Sequence, residues 1–244
     1  MPIRLDAASR THVGFVRRRN EDSLYQGKWL YAVADGLGGH VAGDIASATA
    51  INALRAYDQL VEPEDLAHAM GEAINAASGA LRRKIRAEHE LSGMGTTVVA
   101  MLRAETTAVV GNVGDSRAYL MRDVASPRST LLRLTEDHIY QHLVAGARTV
   151  PDLPEKLTRF LDGRPDGRSP DLTPVHLAPG DRVLLCSDGL SSYVPQQSVQ
   201  AALNSGGSAD SVADQLVSLA LEQGGQDNIT VIVVDVHLVN GAGR

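Results

Sequence analysis

The chain has a single cysteine, Cys186, among its 244 residues. That excludes an internal disulfide and a cysteine-built zinc cluster, and it fits a reducing compartment. Positive charge is not in excess either. With 23 Lys and Arg against 29 Asp and Glu, the formal net charge is −6, which argues against a nucleic-acid binder, because such a protein needs a basic face. The run Arg17, Arg18, Arg19 is too short to reverse that balance. No apolar stretch approaches the length of a transmembrane helix, and the opening MPIRLDAASRTH lacks the apolar segment of a secretory signal. A cytoplasmic protein without a membrane span is expected, and the sequon at Asn228 is then a coincidence. Internal repeats and linkers are also missing. A hydrophobic content of 43% is ample for a sizeable core, so one domain over 1–244 is expected, with its core at about 11–236.

Hydrophobic periodicity divides the chain into strands and helices. Residues 11–16, 22–26 and 29–34 read as strands, followed by a tight turn at Gly36, Gly38 and Gly39. Ile45, Ala46, Thr49, Ala50, Ala53 and Leu54 recur at helical spacing and predict a helix over 43–60. A second helix is predicted over 63–89, with Pro63 near its start. Strands over 96–102, 106–113 and 116–122 are joined by turns too short for helical crossovers, so they must be antiparallel neighbours. A strand at 131–134 and a short helix at 137–145 follow. The segment 146–174 holds five of the ten prolines and no periodicity, which marks a functional or mobile insertion. Strands at Val175, 182–187 and 229–237 enclose helices over 196–203 and 209–221. This order predicts an α+β fold, an antiparallel sandwich with helices outside.

Against that background stand acidic residues at strand ends and glycine turns. They are Glu21 and Asp22 in RRRNEDS, Asp35 in YAVADGLGGH, Asp115 in GNVGDSRAYL, Asp188 in VLLCSDGL and Asp227 in GGQDNITVIVV. Asp and Gly are ordinary turn residues, so any one of these motifs has a structural explanation. Several carboxylates converging at strand ends would instead repel one another unless cations held them. Hard divalent ions prefer such oxygen donors, and the chain offers few soft ligands for zinc. Gly36 leaves its own carbonyl open to a metal.

The blocks RRRNED, DGLGGHVAG, GMGTT, GNVGDSRAYL, LLCSDGL and GGQDNITVIVV, in this order, resemble the PP2C-type (PPM) metal-dependent protein Ser/Thr phosphatases in their short bacterial form. The resemblance implies a four-layer αββα sandwich of two antiparallel sheets flanked by helices. It also implies a binuclear Mn2+ or Mg2+ centre, and hydrolysis of phosphoserine and phosphothreonine by a metal-bridging hydroxide. Asp35 matches the carboxylate that bridges the two ions, and the Gly36 carbonyl binds one of them. Asp188 and Asp227 match ligands of the other. Asp22, with Glu21 beside it, matches a residue acting through metal-bound water, and Asp115 with Asp188 matches a looser third site. Arg17 matches the phosphate-binding arginine, and 146–174 falls where members carry a variable flap. The implied partners are phosphorylated proteins, among them a Ser/Thr kinase and its substrates, and a monomer is expected.

Other residues point elsewhere or fall short. Leu37 stands where some members have a histidine proposed as general acid, and leucine cannot donate a proton. His40 is the nearest substitute, although a structural role is favoured for it, as for His138. Arg18 and Arg19 are lesser candidates than Arg17 for the phosphate. Cys186, with Ser192 six positions on, lacks the arginine that a thiol-dependent phosphatase needs there; following VLL, it reads as a core residue. The pair Thr96 and Thr97 most simply starts a strand. Two other functions remain open: a phosphatase of small phosphorylated metabolites, and a silent relative that binds phosphoproteins.

Overall fold

A computed structural model describes residues 2–37, 42–139, 157–164 and 169–239. Eleven strands are present among them: β1 (Ile3–His12), β2 (Asp22–Gln26), β3 (Leu30–Leu37), β4 (Gly95–Thr96), β5 (Val98–Ala104), β6 (Thr107–Val113), β7 (Arg117–Arg122), β8 (Thr130–Arg133), β9 (Asp171–His176), β10 (Arg182–Cys186) and β11 (Ile229–Leu238). The helices are α1 (Gly43–Leu54), α2 (Leu66–Ala87), α3 (Asp188–Ser191), α4 (Gln196–Leu203) and α5 (Ala209–Glu222). One sheet runs β1-β11-β10-β7-β8 and the other β2-β3-β5-β6-β9, with β4 paired to β3. Every pairing is antiparallel.

The layers follow from which faces are apolar. Val183 and Leu185 of β10 and Ile232 and Val234 of β11 point inward, where they meet Val33, Val99, Met101 and Val110 of the other sheet. Their neighbours Leu184, Cys186, Val231 and Val233 point outward beneath Leu190, Val199 and Leu216 of the helices. On the opposite side α1 and α2 cover Ala32, Ala34, Ala100 and Leu102 with Ala46, Ala50, Met70 and Ile74. Central strands buried on both faces read as unbroken apolar runs, hence VLLC and ITVIVV. The four αββα layers agree with the expected fold class. Cys186 lies fully buried inside the helix–sheet layer, where burial pushes its thiol up to about 12, in keeping with a core residue rather than a nucleophile.

Several boundaries differ from the sequence expectation. The first strand is Ile3–His12, not 11–16, and it pairs with β11 along its whole length, so the ordered fold starts well before residue 11. Residues 13–20 form a loop instead. The first helix ends at Leu54, passing through a 3-10 turn at Arg55–Tyr57. The chain breaks there because the Asp58 carboxylate accepts the backbone N–H groups of Lys28, Trp29 and Leu30 and the Tyr25 hydroxyl. The second helix is Leu66–Ala87, because Pro63–Asp65 is itself a 3-10 turn. Residues 137–139 are not helical, and the rest of the 137–145 expectation lies outside the described residues, as do His40 and much of the segment 146–174. Within that segment β9 begins at Asp171, and Pro174 is tolerated there because β9 is an edge strand of its sheet.

Among the described residues no helix is long and apolar enough to cross a membrane.

Candidate metal centre

Strand pairing alone brings most of the acids to one end of the sandwich. Asp22 opens β2 directly opposite Asp35 near the end of β3. Asp188 follows β10 and opens α3, while Asp227 stands just before β11, the neighbour of β10. Asp115 sits in the turn between β6 and β7. The Asp35 carboxyl is near enough to Asp22 and Asp188 for their charges to act on it. Asp35, Asp188, Asp227 and Glu21 line a cleft of about 570 Å³, together with Gly36, Leu37 and Arg17.

Gly36 is required for a packing reason. Its N–H donates to the Glu21 carbonyl at 3.1 Å, and a methyl group on it would strike the Gly43 carbonyl and lie 2.6 Å from the Glu21 carbonyl. Gly43 in turn is pressed by the Glu21 carboxylate, where an added Cβ would lie 2.6 Å from Oε2. Gly36→Ala is therefore expected to destabilise the chain by about 1–3 kcal/mol through overpacking, and to weaken Mn2+ binding by displacing the β3 end. Thermal melting with and without Mn2+ reads both effects. An unchanged melt in both conditions would mean that the turn can relax.

Asp35 is fixed from the backbone side. Thr97 Oγ1 accepts its N–H at 3.1 Å, and its carbonyl accepts from Thr96 Oγ1 at 2.8 Å and from the Thr97 N–H at 2.9 Å. The threonine pair therefore does more than start a strand: it locks the residue that β3 presents to the cleft. Ser187 links the sheets. Its hydroxyl donates to Asp22 Oδ2 at 2.8 Å and accepts from the Thr230 N–H at 3.0 Å.

Asn228 ties the loop 13–19 to the centre. Its Nδ2 donates to the carbonyls of Val13 and Arg19, both at 2.9 Å, and its Oδ1 accepts the Glu21 N–H at 2.8 Å. At 5% exposure this side chain is consumed by internal bonds, so the sequon is not presented to solvent. Arg17 emerges from the same loop and donates to Asp227 Oδ2 at 2.6 Å. That bond raises its pKa above the ordinary arginine value.

The electrostatics are those of too many carboxylates in too little water. Burial first, then the charges of Asp22 and Asp188, raise the Asp35 carboxyl well above the usual range. Burial also lifts Asp22 to about 6, against the pull of hydrogen bonds from Thr230 and Ser187, with Asp227 adding to the rise. Asp188 is lifted to about 6 by burial and by Asp227, and Asp115 to about 7 by burial and by Asp188. Like charges gathered in a poorly solvated site behave this way.

The donor set fits hard divalent cations. Asp22 Oδ1 and Asp188 Oδ1 are buried with no hydrogen-bond partner, which is costly for carboxylate oxygens unless a cation takes them. All the converging side-chain donors are oxygens. Among the described residues no three Asp, Glu, His or Cys side chains form a ready-made chelate, and Asp227 is engaged by Arg17. Ions that keep part of their water shell, as Mg2+ does, do not require one.

Of the expected residues, Asp35, Gly36, Asp188 and Asp227 line the cleft, Asp22 stands opposite Asp35 with its Oδ1 buried, and Glu21 abuts Gly36 and Gly43. Asp115 stands at the margin and feels the others chiefly through Asp188. His138 plays a structural part there: its Nδ1 accepts the Gly114 N–H at 3.0 Å, and its Nε2 faces Asp171 at 2.9 Å. Sequence reasoning misses Ser187 and Asn228 as parts of the site. Their only signal is adjacency to the acids in SDG and QDN, because the Ser187–Asp22 and Asn228–Val13 contacts span more than a hundred residues of chain.

This fold and this oxygen-rich cleft define a class. A family model described as protein phosphatase 2C matches residues 17–229, and the chain belongs to the protein phosphatase 2C family. Among curated relatives, the serine/threonine protein phosphatase PstP of Mycobacterium tuberculosis is 40% identical over 236 residues, covering 94% of this chain and 44% of that protein. The chain thus spans less than half the length of that relative. The serine/threonine phosphatase stp of Listeria welshimeri is 35% identical, covering 96% of this chain and 97% of that protein. Among solved structures, the catalytic domain of PstP in complex with two manganese ions superposes with a TM-score of 0.87 at 39% identity, covering 97% of this chain and 100% of that one.

Proposed function

We propose that this chain is a metal-dependent phosphatase of phosphoserine and phosphothreonine in proteins, acting as one catalytic domain. The observation that carries this is the convergence of Asp22, Asp35, Asp188 and Asp227 at one end of the sandwich, with two buried carboxylate oxygens unpartnered. The family membership and the manganese-bound relative support it.

Asp35, the Gly36 carbonyl, Asp188 and Asp227 are the groups that would hold two Mn2+ or Mg2+ ions. Asp22 and Glu21 would act on water around them, and Asp115 with Asp188 would take a third. The chemistry such ions supply when bound is neutralisation of the phosphate dianion and acidification of water near neutral pH. The protein's own part is positioning. Thr96 and Thr97 lock Asp35, and Ser187 locks Asp22. Arg17 stands at the cleft wall with a planar fork suited to two phosphoryl oxygens. To use it, Arg17 must yield the Asp227 oxygen it now holds. Leu37 lines the cleft without a transferable proton, so protonation of the leaving oxygen falls to water or another side chain.

Arg17→Ala is expected to raise KM for a phosphothreonine peptide roughly tenfold, the loss of about one charge-assisted hydrogen bond. It should leave Mn2+ affinity undiminished, because Asp227 is freed. Arg17→Lys, which keeps the charge but not the fork, should fall between. An unchanged KM in Arg17→Ala would remove Arg17 from the phosphate site. Phosphorylated proteins are the proposed substrates, with a Ser/Thr kinase and its targets as the natural counterparts. A lone buried Cys186 is in keeping with a cytoplasmic setting.

A further inference from the structure

Neither Arg18 nor Arg19 is among the proposed metal-holding groups, and Arg17 is the favoured phosphate ligand, yet both line the same cleft as Asp35, Asp188 and Asp227. Both are exposed, and among the described residues neither makes an ion pair, unlike Arg17. Their loop is not a loose tail. Asn228 grips it at both ends through the Val13 and Arg19 carbonyls. The Phe15 N–H donates to the Gly225 carbonyl at 2.7 Å. Gly14 takes a positive φ of 79° where an added Cβ would lie 2.6 Å from that same carbonyl. The two guanidinium groups are thus carried on backbone anchored to the strand entrance that also carries Asp227.

Glu21, Asp35, Asp188 and Asp227 supply the acidic part of the cleft lining, and the whole chain carries a net charge of −6. Unpaired cations fixed at such a rim attract an anionic group lying beside the phosphate and repel a basic one. We infer that Arg18 and Arg19 form a subsite for a second anionic group on the substrate, a few residues from the scissile phosphoserine or phosphothreonine. The source of that charge is an Asp or Glu side chain or a second phosphoryl group. This rests on the phosphatase reading and adds the substrate class to it.

The test compares kcat/KM in Mn2+ for phosphothreonine peptides that differ only in the flanking residues: neutral, glutamate, a second phosphoserine, or lysine. In low salt the glutamate or the doubly phosphorylated peptide should exceed the neutral one by about threefold to tenfold, with the lysine peptide below it. Which of the two anionic peptides leads identifies the source of the charge. In Arg18→Ser/Arg19→Ser, with folding checked by thermal melting, the ratio should fall toward one. It should also shrink for the native chain in high salt. Turnover of all peptides with a ratio near one in the native chain overturns the subsite and leaves the phosphatase reading intact. A ratio that survives the double substitution also overturns it. Absence of turnover on every peptide overturns both.

Discussion

Asp35→Asn is expected to lower phosphopeptide turnover in saturating Mn2+ by at least about 10³-fold, equivalent to roughly 4 kcal/mol of transition-state stabilisation. The substitution keeps the shape of the side chain, and the Thr96 and Thr97 contacts are made to the Asp35 backbone, so the fold is preserved. What goes is the negative charge at the point where the two sheets face the cleft. Asp35 is the carboxylate whose titration is raised by both Asp22 and Asp188, so its charge sits at the heart of the cluster. The same substitution removes repulsion from a buried cluster. In metal-free buffer at pH 8 the variant should therefore melt higher than the native chain, by roughly 2–4 °C for each kcal/mol recovered. Lower activity with higher metal-free stability is the signature of a residue kept for function. A variant that is inactive and also less stable would point to a structural role.

Metal-free stability should fall as pH rises through about 5 to 8. Asp22 and Asp188 are held near 6 and Asp115 near 7, against an ordinary value of 3.8. Between those values the folded chain binds more protons than the unfolded one, so unfolding becomes easier as pH increases. A carboxyl that titrates one pH unit higher in the folded chain than in the unfolded one costs about 1.4 kcal/mol once ionised, and the cluster as a whole is worth on the order of several kcal/mol. His138 works the other way. Its pKa is lowered by burial, so its contribution is present above about 6.5 and lost below it, but it is one group against several. Asp58 and Asp171, with lowered values, act only in more acidic solution. Mn2+ should cancel the trend by occupying the ionised carboxylates, so the rise in melting temperature on adding Mn2+ should be larger at pH 8 than at pH 6. Melting in EDTA and in Mn2+ across this range provides the check. Metal-free stability that is flat or increases toward pH 8 would show that the acids are better compensated than their burial implies.

Much of the centre is legible in the sequence, for a physical reason. Asp35 and Asp188 close apolar strands and Asp227 precedes one, and an acid at the edge of a buried strand has few alternatives to metal or proton. VLLC and ITVIVV announce strands covered on both faces. By contrast, β1 starts earlier than periodicity suggests because IRLDAASRTH is a half-exposed edge strand with weak alternation, and its apolar positions become meaningful only once paired with β11. The end of α1 is set by Asp58, whose carboxylate serves three backbone N–H groups nearly thirty residues away. Asn228 and Ser187 are opaque for the same reason: their roles are contacts across the fold, and composition carries no trace of those. The family resemblance points to Arg17 as the phosphate ligand, but its engagement with Asp227 emerges only from the folded chain.

The most direct measurement is inorganic phosphate release from a phosphothreonine peptide by the native chain, first in EDTA and then after excess Mn2+ is restored. The converging carboxylates predict no turnover without metal and full recovery with it. Turnover that persists in EDTA, or none when Mn2+ is bound, would contradict the assignment of this cleft as a hydrolytic metal centre.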